Sequence, residues 1–144
     1  MLAGGVWVVA DTSPGPSALL SALLPLTDLL VTVMLADTAS LSLIPTVENG
    51  NAYGADFTFG RANRLGFIVN QYDPRTRLGP SILDGVQDRL GEKLLGVIYR
   101  DENVVEAGAA QKLLAIHAPS GKAAQGMQAI TVRIMQIVAA LEPV

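Results

Sequence analysis

The sequence predicts an α/β fold: a partial doubly wound, mostly parallel sheet of about four strands with flanking helices. Three observations carry that expectation. Four short apolar runs recur along the 144 residues, none alternates polar with apolar, and segments with helix start and stop signals lie between them. Continuous apolar runs rich in β-branched residues suit strands covered on both faces. Connections of this size between parallel strands form right-handed βαβ units.

The elements follow in order. Residues 5–10 (GVWVVA) are the predicted first strand. Residues 17–24 (SALLSALL) form a helix that Pro25 ends. Residues 29–35 (LLVTVML) are the second strand, and residues 48–63 (ENGNAYGADFTFGRAN), rich in Gly and Asn, are the predicted mobile loop. The third strand is residues 65–69 (LGFIV). A helix over 81–90 starts after Pro80 with Ser81 as N-cap and Asp84 three residues on, and stops at Gly91. Residues 94–99 (LLGVIY) are the fourth strand, and 104–114 a further helix. The last helix, over 122–141, places Ala123, Met127, Ile130, Ile134, Ile137, Val138 and Leu141 on one core-facing stripe. No internal repeat, low-complexity tract or linker interrupts the chain, so residues 1–144 read as a single domain.

Composition excludes several classes. Half the residues are hydrophobic and mean hydropathy is +0.39, but the longest uncharged run, residues 12–27, contains Pro14, Pro16 and Pro25. A spanning helix needs about 20 apolar residues without such breaks, so no transmembrane segment is expected. Residues 1–10 lack the positive n-region of a secretory signal. The absence of cysteine excludes disulfides and thiolate metal sites, and a cytoplasmic location is expected. Charge is unevenly placed. The first sixty residues hold five acids (Asp11, Asp28, Asp37, Glu48, Asp56) and no base, a net of −5; the remainder carries all ten bases against eight acids, a net of +2. No basic stripe could follow a nucleic-acid backbone, and the pI near 5.0 agrees.

In an open parallel sheet, ligands bind outside the carboxyl ends of the strands. Every apolar run here delivers an acid or amide to that edge: Asp11, then Asp37, then Asn70 to Asp73, then Arg100, Asp101 and Glu102. Polar residues also begin loops routinely, so one such strand end says little and four in a row say more. The first is the most specific. An apolar strand ending in Asp11, followed by the Pro14-Gly15 turn, has the form of a Walker-B element. Such a carboxylate holds Mg²⁺, usually through water, beside the β- and γ-phosphates. The Pro-Gly turn supplies backbone that can move with the γ-phosphate. Asn70 has a plainer reading too, as an Asx-type turn leading into Asp73-Pro74.

These blocks together, VWVVADTSPGPSALLSALLPLTDLLVTVMLADTASLSLIP, LGFIVNQYDPRTRL and LLGVIYRDENVVEA, resemble the second half of a MinD/ParA-type ATPase. Within that superfamily the chain is most similar to the bacterial cellulose biosynthesis family BcsQ (YhjQ), from Val6 to about Leu141. The resemblance implies roles position by position. Asp11 matches the Walker-B aspartate, holding Mg²⁺ through water, and Pro14 and Gly15 match the switch turn. Asn70 matches the asparagine that reads adenine, for which an amide offers paired donor and acceptor. Arg100, Asp101 and Glu102 match the loop that closes over the base. Many relatives place a proline before this loop, where Tyr99 stands here. The resemblance further implies Mg-ATP as cofactor, homodimerisation or pairing with a cellulose secretion component, and peripheral inner-membrane association through partners. It also implies an incomplete domain, because these residues contain no GxxxxGK[ST] loop to cradle phosphates. ATP hydrolysis by this polypeptide alone is therefore not expected.

Other constellations lead nowhere. His117 is the only histidine, which leaves no second imidazole for a metal site, and Ser17 lacks a GxSxG elbow. Arg75 and Arg77 read as solvated loop residues that could also meet an anion or a partner. Asp84, Asp88 and Glu92 fall at i, i+4, i+8 and read as an exposed acidic stripe. Two alternatives stand beside the ATPase-like reading. One is a non-catalytic α/β scaffold or partner-binding module with an exposed apolar sheet edge; the other is a fragment of a ParA-like ATPase from another system.

Overall fold

Leu29–Leu35 forms strand β1, Arg64–Tyr72 forms β2 and Leu94–Tyr99 forms β3. The computed structural model describes residues 6–53 and 64–140. All pairings are parallel, in the order β1-β2-β3, with β1 in unbroken register from Leu29↔Arg64 to Leu35↔Asn70. The expected class, α/β with a partial parallel sheet and flanking helices, is what the chain adopts.

The strand count differs from expectation. Among the described residues the sheet has three strands, and residues 6–10 do not join it. Val6, Val8 and Val9 are 85–91% exposed. Branched apolar side chains give this run strand propensity, but a strand exists only where a neighbour takes up its N–H and C=O groups. Among the described strands β1 pairs with β2 alone.

Helices cover both faces. On one side lie α1 (Ala18–Leu23), α2 (Thr38–Glu48) and α3 (Gly79–Leu90). Leu20 and the following Leu24, then Ile44 and Val47, then Ile82, Val86 and Leu90 bury themselves against Met34, Phe67, Val69 and Tyr72. On the other side α6 (Lys122–Ala139) brings Ile130 onto Ile68 and Leu95, with Val31, Ile98, Ile134 and Ile137 at the margin. Alternation along β2 produces both cores: Phe67 and Val69 face the first, Ile68 the second. α6 approaches β3 so closely that a Cβ at Gly126 would stand 2.7 Å from the Val97 carbonyl oxygen. Glycine is what permits that contact.

Local chemistry sets the boundaries. Ser17 caps α1, its hydroxyl accepting from Leu20 N at 3.1 Å, and Pro25 sits in the 3₁₀ turn Leu24–Leu26 that follows. α2 was not anticipated, since Pro45 lies inside it and an internal proline ordinarily argues against a helix. α3 begins two residues earlier than expected, and Ser81 is not its cap. Pro80 occupies the first turn, where its missing N–H costs nothing, and Thr76 Oγ1 accepts from Gly79 N at 3.1 Å. The helix expected over 104–114 is two, α4 (Glu102–Ala109) and α5 (Leu114–His117). Gln111, at φ 52°, stands in the break between them. Of the glycine-rich stretch 48–63, Glu48 ends α2 and Asn51–Tyr53 is a 3₁₀ turn, while residues 54–63 lie outside the described residues. Glu48 binds Lys93 at 2.6 Å and Arg89 at 2.7 Å, which join α2 to the end of α3 and hold its carboxyl below the ordinary range.

Candidate functional site

The carboxyl ends of β2 and β3 meet at Tyr72↔Tyr99, and Arg100 N donates to the Tyr72 carbonyl at 2.9 Å. Between Val69 and Tyr72 the register shifts, so Asn70 and Gln71 form a bulge. Gln71 has φ 56°, left-handed backbone for a residue with a Cβ, which costs about 1–3 kcal/mol. Its N–H donates to Asn70 Oδ1 at 2.9 Å. That bond fixes which way the amide faces, leaving Nδ2 and one oxygen lone pair for another group. Bulges of this kind re-aim side chains at sheet ends. The Asx-type turn lies at Asp73 rather than Asn70, since Arg75 N donates to Asp73 Oδ1 at 2.9 Å.

The acids at this edge hold structure. Asp37 caps α2 by accepting from Ser40 N at 2.7 Å, which lowers its pKa. Asp73 takes a fork from the Arg75 guanidinium, at 2.9 Å from Nε and 2.8 Å from Nη2. That side-chain fork, with the Arg75 backbone N–H, brings Asp73 down to about 2. Arg75 is thereby committed within its own loop. Asp101 caps two helices at once: Oδ2 accepts from Ala123 N at 3.1 Å, and Oδ1 from Asn103 N at 3.0 Å and Asn103 Nδ2 at 2.7 Å. The Ala123 bond is the first cause of its lowered pKa. Charged caps at N-termini are favoured because they also meet the helix dipole.

Two groups at the edge were not singled out as ligand-facing from sequence. Tyr99 packs edge-on to Tyr72, with ring centroids 5.3 Å apart at 67°. Lys122 Nζ lies 5.9 Å from the Tyr99 ring centroid, within cation–π range. Tyr99, Lys122, Gln125 and Gly126 line an open depression of about 390 Å³. The only signal in sequence was Tyr99 standing where many relatives have proline. Arg100 and Glu102 are exposed beside it, with Arg100 Nε 4.0 Å from Glu102 Oε1. Asn70, Arg100, Asp101 and Glu102 thus share one edge.

Asp11, Pro14 and Gly15 lie on the exposed segment before α1. Pro14 and Gly15 form a bend in which Gly15 takes φ 85°, a conformation that requires its missing side chain. Among the described residues, no hydrogen bond or ion pair links Asp11 to Asn70 or to Arg100. Among them, too, no three His, Cys, Asp or Glu side chains gather so as to hold a metal. His117 ends α5 with Nε2 3.7 Å from Glu106 Oε2. Among the described residues no helix is long and apolar enough to cross a membrane.

Comparison with known proteins bears on the family and the fold. The family model for cellulose biosynthesis protein BcsQ matches residues 3–135. Among solved structures, the chain is similar to the septum site-determining protein MinD from Pyrococcus horikoshii OT3, complexed with Mg-ADP. The TM-score is 0.56 at 20% identity, over 81% of this chain and 45% of that one. The chain therefore spans less than half the length of that structure. No curated protein matches the chain.

Proposed function

The chain belongs to the BcsQ family of cellulose biosynthesis proteins, and from that premise we propose a role in bacterial cellulose biosynthesis and secretion. We further propose that it is a MinD/ParA-type ATPase relative that faces the base of a nucleotide with the shared edge of β2 and β3. The observation that carries this reading is the bulge at Asn70, where Gln71 N–H holds the amide oxygen. An amide held so presents a donor, and a remaining lone pair, to the complementary edge of adenine.

The roles are those that the family resemblance assigns. Asn70 reads the base, while Arg100 and Glu102, both exposed, close over it. Asp101 holds that loop in place by capping α4 and α6. The Pro14-Gly15 bend would supply a turn that changes with phosphate state, and Asp11 would hold Mg²⁺. A lone carboxylate suits Mg²⁺ only beside phosphates, which supply the remaining ligands. When bound, Mg-ATP would supply the charge and the transferable phosphoryl group.

The residues described fit the base better than the triphosphate. The sequence contains no GxxxxGK[ST] loop, and most affinity in such ATPases comes from that cradle. This polypeptide on its own therefore binds Mg-ATP weakly and does not turn it over. It works as a dimer, or paired with a cellulose secretion component, in the cytoplasm and at the inner membrane through partners. Cellulose output of cells lacking the chain tests the biological role: unchanged output would count against it. Calorimetry of the purified chain with Mg-ATP tests the second part, and micromolar affinity with no other chain present would overturn it.

A further inference from the structure

Tyr99 and Lys122 stand at the shared end of β2 and β3 and have no part in the roles above. Tyr99 ends β3, half-buried and opposite Tyr72. Lys122 is exposed in the first turn of α6 and holds Nζ over the Tyr99 ring, 5.9 Å from its centroid. Neither helix stability nor charge pairing explains that lysine. A cation in the first turn meets the unfavourable end of the helix dipole. Among the described residues no carboxylate lies within ion-pair distance of Nζ.

The separation leaves the pair loose. Cation–π attraction fades near 6 Å, so 5.9 Å is its outer limit. A flat ring between ammonium and tyrosine needs about 7 Å, two contacts of roughly 3.5 Å each. A small retreat of the flexible Lys122 stem supplies the difference. The depression of about 390 Å³ that Tyr99 and Lys122 line with Gln125 and Gly126 gives the room. Gly126 adds no side chain to it. Gln125 Nε2 donates to the Ser120 carbonyl at 3.3 Å, which leaves Oε1 free to accept at the border. A π platform with a cation opposite suits a flat heterocycle. An aliphatic ligand would gain no stacking there, and a bare anion nothing from Tyr99.

We propose that Tyr99 and Lys122 form a stacking slot for a nucleobase, which enters between the tyrosine ring and the ammonium and is held there without its phosphates. This inference rests on the nucleotide-facing reading of the same edge and adds the faces of the base to the rim that Asn70 reads. Tyr99 stacks on one face, and the Lys122 charge lies against the other. The triphosphate takes no part, so the chain binds a nucleoside much as it binds Mg-ATP.

Aromatic and side-chain amide spectra of the full chain, titrated with adenosine, with Mg-ATP and with ribose 5-phosphate, test it. Adenosine moves the Tyr99 ring protons upfield with an affinity close to that of Mg-ATP, and ribose 5-phosphate moves nothing. Tyr99→Leu weakens adenosine binding roughly tenfold, whereas Tyr99→Phe, which keeps the π face, does not. Because Tyr99 also packs on Tyr72, the exposed Lys122 supplies a second pair of variants. Lys122→Ala weakens binding roughly threefold or more, and Lys122→Arg, whose flat guanidinium stacks, restores it. An Asn70 amide that shifts while the Tyr99 ring stays still overturns the slot and leaves the nucleotide-facing reading standing. A moving Tyr99 ring with Asn70 unmoved supports the slot and counts against that reading. Binding of Mg-ATP but not adenosine, wild-type affinity in Lys122→Ala, or no shift with any probe overturns the proposal. So do nuclear Overhauser contacts, in the free chain, between the Tyr99 ring and any of residues 1–5, 54–63 or 141–144, which assign the depression to the chain itself.

Discussion

Asp101 Oδ2 accepts the Ala123 amide at 3.1 Å, joining the end of β3 to the first turn of α6 across 22 residues of sequence. With its other oxygen on Asn103, one carboxylate starts two helices. The loop that follows Tyr99 is thereby fixed at its second residue, while Arg100 and Glu102 on either side stay exposed. A carboxylate that looks like a ligand from sequence is the anchor on which the neighbouring side chains turn.

Removing that anchor loosens both helices. Asp101→Ala lowers the melting temperature by a few degrees and speeds hydrogen exchange at Asn103 and Ala123, whereas Asp101→Asn, which keeps one cap, falls between. The folded pKa lies below the ordinary 3.8. The cap therefore contributes fully at pH values above 3.8 and is lost as pH falls through the folded value. Thermal melts of wild type and Asp101→Ala against pH converge in acid. A constant gap would contradict the cap.

Asp73 titrates at about 2 because of Arg75. Arg75→Ala returns it towards 3.8, measurable from the carboxyl carbon shift. Sign follows direction: the pair supports the folded state above 3.8, and its support disappears as pH falls from 3.8 through about 2. An unmoved midpoint in Arg75→Ala would show that the fork is not formed in solution.

Left-handed backbone at Gln71 is the cost of aiming Asn70. Gln71→Gly relieves it and raises stability by about 1 kcal/mol in urea unfolding, part of the gain being offset by the freer unfolded chain. Gln71→Val, branched at Cβ, lowers stability. If the glycine variant is destabilised instead, Gln71 is not held at positive φ.

Gly126→Ala forces α6 away from Val97, whose carbonyl oxygen would lie 2.7 Å from the new Cβ. Overpacking of this kind costs about 1–3 kcal/mol, read as a reduced urea midpoint at constant slope. An unchanged midpoint would mean that helix and strand are further apart.

Much of the fold is legible in the sequence, for physical reasons that also explain the remainder. β1 and β3 coincide with their apolar runs to the residue, because charged residues close off each run, Asp28 and Asp37 for one and Lys93 and Arg100 for the other. Residues 6–10 carry the same pattern without a strand partner among the described residues, and pattern alone does not supply one. Pro45 concealed α2, and the left-handed Gln111 divided a helix that periodicity had joined. At the candidate site, Asn70, Arg100, Asp101 and Glu102 do share an edge. The acids there were ambiguous because helix N-termini and bound cations ask for the same group. Asp37 and Asp101 cap helices, and Asp73 holds Arg75. The double cap itself, and Lys122 over Tyr99, depend on α6 returning to β3 and so could not be read from local sequence.

Titrating the ¹⁵N-labelled chain with Mg-ATP and following its amide resonances tests the central claim most directly. The proposed nucleotide-facing role of that edge predicts weak binding, in the millimolar range, with shifts concentrated at the Asn70 side-chain amide and the backbone of Arg100, Asp101 and Glu102. Asn70→Ala abolishes those shifts without unfolding the protein. Shifts elsewhere with Asn70 and Arg100 unmoved, or an Asn70→Ala variant that responds like the wild type, would contradict it.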